Sequence, residues 1–301
     1  MRLWKWLRNG LIYCILIVSS LVMAYPLVFA ILGSLGQFDD FVRTPWLPVP
    51  ESPSLDAYRA ILSSTRHDIV SWMVNTSIRT AWYIVIPGTL AVLIGYTVAK
   101  MRFRGRDTVF VYILSSLVLP GIVFNIATFV MMVRFPLAGG NNIMGQGGTG
   151  FLNQWPALLL PGLVNAYFIF LFRQTFATIP ADFEEAARVD GAGTLRCLFT
   201  IYLPMLKPVL TVFVVFQFVA MWNDYVWPLL VSRDNELIWV ISVGFQFLTG
   251  SGGNLTGLPS GVAYSPFILA AIVVVTLPLI AMYLALQNYF VEGVAGFALK
   301  G

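Results

Sequence analysis

Apolar residues in this chain gather into six runs bounded by polar or charged positions: Leu11–Leu35, Thr80–Ala99, Thr108–Val133, Trp155–Phe172, Val209–Val231 and Tyr264–Gln287. Each is close to the roughly 20 residues a helix needs to cross a hydrocarbon core. Strands of a membrane barrel would be about ten residues long and would alternate apolar with polar positions. The pattern therefore predicts an all-α membrane protein with six transmembrane helices. The second helix is expected to begin earlier, near Trp72, with Arg79 reaching up to the outer surface. A shorter apolar run, Leu237–Leu248, predicts an interfacial or re-entrant segment. Between the first two spans, Gly36–Val70 carries Pro45, Pro48, Pro50 and Pro53, then a short helical pattern at Ser54–Leu62.

Composition agrees with a bilayer environment. Hydrophobic residues make up 58% of the chain and charged ones 11%, with a mean hydropathy of +0.80, against about 25% charged residues in a soluble domain. Lysine and arginine set the orientation. With the N-terminus inside, the inner segments hold Arg2, Lys5, Arg8, the cluster Lys100 to Arg106, Arg173, Arg188, Arg196, Lys207 and Lys300. The outer segments hold Arg43, Arg59, Arg66, Arg79, Arg134 and Arg233. Both termini are then cytoplasmic. The net charge of +4 reflects this bias and gives no reason to invoke nucleic acid. Arg2, Lys5 and Arg8 precede an apolar run longer than the 7–15 residues of a signal-peptide core, so the first span is expected to stay uncleaved.

The candidate chemistry is sparse. There is no Gly-Lys-Ser/Thr sequence to cradle a nucleotide. His67 is the single histidine, and Cys14 and Cys197 are far apart in sequence, so neither a metal centre nor a disulfide framework is expected. No nucleophile–base constellation is recognisable, and the chain reads as a transport subunit rather than an enzyme. Asn75-Thr-Ser and Asn254-Leu-Thr match the glycosylation pattern but carry no assigned role.

Residues 177–208 form a polar island between spans four and five. Pro180 is placed to open a helix, with Asp182, Glu184 and Glu185 at the positive end of its dipole. Glu184 and Arg188 make an i,i+4 pair in the favoured order. Gly191 and Gly193 are expected to stop the helix. A second piece, Leu195–Tyr202, places Leu195, Leu198, Phe199 and Tyr202 on one face, and Pro204 and Pro208 end it. On physical grounds alone this is an interfacial helix–turn–helix. The spacing Glu185-Ala186-Ala187, then Gly191, Ile201 and Leu203-Pro204 resembles the EAA loop of permease subunits of binding-protein-dependent ABC importers. That resemblance implies a coupling helix docked on a separate ATPase subunit through Glu184, Glu185, Ala186, Ala187, Arg188, Asp190, Gly191, Ile201, Leu203 and Pro204.

One charged residue falls at membrane depth. Asp224, within Trp222-Asn223-Asp224-Tyr225-Val226-Trp227, lies about 15 residues into the fifth span, or roughly 22 Å from its inner end. Two readings are open: an interface-level carboxylate with an aromatic belt, or a wall of the solute path formed by Trp222, Asn223, Asp224, Tyr225 and Trp227. The Trp-Asn-Asp sequence resembles the carbohydrate branch of these permeases. So do Pro53–Arg59, Asn75-Thr-Ser, Ala99–Arg106 and Tyr289–Gly301, which are similar to the smaller, maltose-type subunit.

The resemblance implies the type I ABC importer permease fold and a sugar or oligosaccharide cargo. It implies as partners a second permease, an ATPase dimer holding ATP and Mg, and an extracytoplasmic binding protein. It also implies a tail, 292–301, that reaches the ATPases. The Gly-rich loop 250–261, with Gly252, Gly253 and Asn254, either probes the binding protein or is a plain surface loop. Alternatives are an importer of another polar solute, such as a glycerol phosphate diester or a polyamine, and an ion-coupled secondary transporter. The latter would be expected to show broken helices and several intramembrane charges.

Overall fold

The computed structural model describes residues 2–63, 68–249 and 266–298, and among these every regular element is helical. In chain order they begin with α1 (Arg2–Leu35), α2 (Phe38–Arg43), α3 (Asp56–Ser63) and α4 (Ile69–Lys100). Next come α5 (Arg106–Ser115), α6 (Gly121–Val133), α7 (Trp155–Leu159) and α8 (Ala166–Thr178). The polar island contributes α9 (Asp182–Val189) and α10 (Thr194–Cys197), which runs through a π-helical turn, Leu198–Tyr202, into α11 (Leu203–Met205). Then follow α12 (Lys207–Asn223), α13 (Val226–Ser232), α14 (Ile241–Thr249) and α15 (Pro266–Ala298). His67, Arg66, Lys300 and the loop 250–261 with Gly252, Gly253 and Asn254 lie outside the described residues.

Three of the six expected spans are unbroken helices: Trp6–Leu35, Ile69–Lys100 and Pro266–Gln287. The other three are broken within their length. The third bends by 101° between Arg106–Val118 and Gly121–Val133. Its bend falls at Leu119, which is extended because Pro120 disfavours the helical region in the residue before it. The fourth divides into α7 and α8, with Pro161 in the gap. The fifth stops at Asn223 and resumes at Val226. Pro228 explains this last break, since it offers no N–H to the Asp224 carbonyl four residues back and its ring crowds that carbonyl. Ser242 Oγ donates to the Asp224 carbonyl oxygen instead, at 2.6 Å. The nine-residue α14 is too short to span.

The chain forms two compact units, Met1–Val70 with Gly244–Pro278, and Ser71–Val243 with Leu279–Gly301. In the first, Ala30 and Phe41 are buried with Leu269, and the Ser34 and Tyr58 hydroxyls are hydrogen bonded at 2.6 Å. In the second, an aromatic-rich core joins α4, α8 and α12 through Tyr96, Phe168, Phe172, Phe176, Tyr202 and Phe213. A smaller cluster, Met132, Ala157, Leu158, Trp227, Val231 and Ile238, packs beside the breaks. Asn75, part of a glycosylation pattern, is buried and donates to the carbonyls of Leu237 and Trp239 at 2.9 and 3.0 Å.

The α4–α8 contact depends on a glycine. A Cβ at Gly95 would stand 2.9 Å from Phe172 Cβ and 3.1 Å from the Arg173 backbone nitrogen. Small residues let helix backbones approach this closely, which matters where lipid gives no hydrophobic drive to associate. Gly95→Leu is therefore expected to force the two helices apart and cost about 1–3 kcal/mol. Thermal unfolding in detergent measures this, and an unchanged midpoint would show that the contact relaxes freely.

Candidate functional site

The three breaks meet at one cavity of about 810 Å3 within the Ser71–Val243 segment. Leu119 comes from the first break, Pro161 and Asn165 from the second, and Asp224 from the third. A broken helix leaves carbonyls without partners, and away from water each must be satisfied by protein. At the end of α7 side chains do this. Trp227 Nε1 donates to the Ala157 carbonyl at 2.9 Å and Trp82 Nε1 to that of Leu159 at 3.0 Å. Arg79 Nε and the Tyr83 hydroxyl both donate to Leu158, each at 3.3 Å, and Tyr83 also donates to Pro161. On the other side of the gap, Asn165 Oδ1 accepts from the Tyr167 and Phe168 amides and starts α8.

Arg79 does not reach to the surface as the sequence suggested. Its side chain is 2% exposed, and Nη2 donates to Asp224 Oδ2 at 2.5 Å. The reason is supply and demand at the breaks: Asp224 needs a countercharge and Leu158 needs a donor, and one guanidinium serves both. Asp224 is therefore half-buried in the cavity wall rather than an interfacial belt residue. Of the residues expected on the path with it, Trp227 also lines the cavity. Trp222 is buried off the cavity with its indole N–H unpartnered. Asn223 is exposed and donates to the Val219 carbonyl, and Tyr225 lies outside the wall. Sequence reasoning missed Arg79, Tyr83, Asn125, Asn165 and Gln217. The available signal was a proline in each broken span, Pro120, Pro161 and Pro228, although Pro26, Pro87 and Pro278 sit inside unbroken helices.

The polar island forms a second surface. Its first helix begins at Asp182, two residues after Pro180. It ends in a Schellman turn, with Ala192 N–H donating to Ala187 O at 2.9 Å and Gly191 N–H to Arg188 O at 3.0 Å. Gly191 takes φ +81°, while Gly193 is extended and only leads into α10, so one glycine stops the helix rather than two. Leu195, Leu198, Phe199 and Tyr202 do not share a buried face. The π turn buries Leu198 and Tyr202 and leaves Leu195 and Phe199 exposed. Nor does Pro204 end the segment, because the widened turn, closed by Leu203 N–H on Leu198 O, makes room for its ring.

Glu184 faces inward. Its carboxylate accepts from Tyr202 at 2.9 Å, from Arg188 at 2.7 and 3.1 Å, and from Tyr96 of α4 at 3.5 Å. Burial pushes this carboxyl up, but the hydrogen bonds from Arg188 and Tyr202 and the charges of Arg188 and Lys100 outweigh it and hold it below its ordinary value. Lys100 Nζ donates to the Ile179 carbonyl at 2.6 Å and lies over the Tyr202 ring. Glu185, Ala186, Arg188, Asp190, Gly191 and Pro204 are exposed, while Ala187, Ile201 and Leu203 are half-buried. Alongside them stand Phe183, Val189 (88% exposed), Leu195 and Phe199.

Residues 91–296 match the family described as binding-protein-dependent transport system inner membrane component. The chain belongs to this family. It resembles the arabinooligosaccharides transport system permease protein of Bacillus subtilis (strain 168), with 27% identity over 94% of this chain and 92% of the relative. The polygalacturonan/rhamnogalacturonan transport system permease protein of the same organism is 27% identical over 98% and 99%. The sn-glycerol-3-phosphate permease of Yersinia enterocolitica is 28% identical over 95% and 96%. Among solved structures, a bacterial ABC transporter involved in the import of the acidic polysaccharide alginate superposes with a TM-score of 0.76 at 24% identity, covering 94% of this chain and 96% of that one. The family and this likeness fix the type I importer permease fold. Broken helices therefore do not mark the chain as a secondary transporter.

Two outcomes follow from this geometry. Arg79→Leu leaves a carboxylate without its countercharge and is expected to cost about 3–5 kcal/mol, whereas Arg79→Leu with Asp224→Leu should cost much less than the two single changes combined. Thermal unfolding of the four proteins in detergent closes the cycle, and additive costs would dissolve the coupling. Glu184 has a lowered folded-state value, so its stabilising contribution is complete above the ordinary 4.5 and is lost as pH falls through the lowered value. The stability gap between wild type and Glu184→Gln should shrink to nothing on acidification, and a gap independent of pH would remove the carboxylate from the tether.

Proposed function

We propose that this chain is the transmembrane permease subunit of an ATP-driven importer, and that the cavity is its share of the path for a sugar or oligosaccharide. One observation carries the reading. The family match spans the helix breaks that wall the cavity and the polar island together, which supports reading the two as parts of one module. The relatives named for oligosaccharide transport support the cargo class. A solved neighbour in complex with an alginate-bound periplasmic protein supports delivery by an extracytoplasmic binding protein.

In this reading the N-terminus and the 177–208 loop are cytoplasmic. Glu185, Ala186 and Asp190, flanked by Phe183, Val189, Leu195 and Phe199, press against an ATPase subunit that holds ATP and Mg. The exposed apolar side chains supply contact area, and Glu184 works from behind by fixing the loop to α4. A second permease chain completes the path, and closure of the ATPase dimer moves α9 as a lever. The Yersinia relative keeps a phosphate-bearing cargo as the second reading.

The purified chain is expected to hydrolyse no ATP, with activity appearing only when the ATPase partner is added. Gly191→Val should leave expression intact and abolish uptake in the reconstituted importer. A β-branched residue at φ +81° is strained by roughly 1–2 kcal/mol, and since nothing lies within 4 Å of the site the damage comes through the backbone and the docked partner. Uptake at the wild-type rate would overturn the role given to the loop.

A further inference from the structure

Gln217, on α12, is only 5% exposed and lines the cavity, yet its amide makes no hydrogen bond. Its amide atoms are not sealed from solvent, so they open onto the cavity, where water or a solute completes them. Also in the lining, Asn125 and Thr128 stand three residues apart on α6 and so share a face. Both are half-buried, and neither side chain makes a hydrogen bond. Asn165 has committed Oδ1 to starting α8, leaving its Nδ2. The polar groups on offer are thus mainly amides and a hydroxyl, able to donate and accept without charge.

Charge points the same way. Arg79 and Asp224 are the only charged residues in the described wall, and each is bonded to the other. The guanidinium nitrogen left over, Nη1, is sealed from solvent. A uronate entering the cavity would find no exposed cation, since Arg79 is sealed behind Asp224, and would lose its hydration. Aromatic surface from Phe124, Tyr167, Phe216 and Trp227 suits the C–H faces of a sugar ring. The volume falls within the roughly 300–1,000 Å3 of small-molecule sites.

We propose that this cavity is a binding site for an uncharged, polyhydroxylated ring, read by Gln217 of α12 and by Asn125 and Thr128 of α6, and that it disfavours acidic sugars. The inference rests on the importer reading and adds a choice the relatives leave open, since they are named for cargoes of both kinds.

The test uses the assembled importer carrying a reporter thiol at the cavity, Ala220→Cys, with Cys14 and Cys197 replaced by serine. The rate of maleimide modification is followed with arabinotriose or with trigalacturonate present. Arabinotriose should protect the thiol and trigalacturonate should not. Adding Gln217→Leu, or separately Asn125→Leu with Thr128→Val, should weaken protection by about tenfold for each lost hydrogen bond, and Gln217→Asn should restore part of it. Equal protection by both probes overturns the selectivity, and full protection in the Gln217→Leu and the α6 variants overturns the residues assigned. Protection by neither probe, in a complex whose ATP hydrolysis still responds to its binding protein, removes the site while sparing the importer. Absence of that response instead sinks the importer reading.

Discussion

The structure turns on the hydrogen-bonding demand of backbone carbonyls where membrane-spanning helices stop short. Water is not there to take them, so side chains must. Arg79, Trp82, Tyr83 and Trp227 converge on the carbonyls at 157–161 because that is where the first half of the fourth span stops. Ser242 does the same for Asp224. Once these donors are in place, the arrangement of the cavity follows. α4 and α13 are pinned to α7, the carboxylate of Asp224 is drawn to the guanidinium, and the space between the three gaps has polar edges and an aromatic lining.

α4 links the two functional surfaces. It carries Arg79 at the cavity and Tyr96 at the polar island, 17 residues apart in the sequence, or roughly 26 Å along an unbroken helix. Phe213 of α12 and Phe172 of α8 pack against its middle. Displacement of α9 is therefore met by the same helix that holds Asp224, through Glu184 and the aromatic core.

The sequence revealed the class of the spans, the polar island and the turn at Gly191, because these rest on length, composition and a backbone conformation that side chains resist. The breaks were not legible. Proline marks each of them, but proline also sits within α1, α4 and α15, and what separates the cases is whether a neighbouring element can cap the freed carbonyls, a tertiary fact. Arg79 was misjudged for the same reason. Near the end of an apolar run an arginine reads as a surface residue until Asp224, 145 positions away, is known to face it. Helical periodicity placed Leu195 and Phe199 with Leu198 and Tyr202, and the π turn, which shifts the phase, put them on opposite sides of the surface.

The pairing of Arg79 with Asp224 also has an electrical consequence. A lone charge carried across a membrane under a potential of 100 mV gains or loses about 2.3 kcal/mol. Two opposite charges 2.5 Å apart that travel together gain and lose nearly equal amounts, so rearrangements of this wall are almost silent to the field. With an uncharged solute in the cavity, as proposed, this wall adds almost nothing to any voltage dependence of transport.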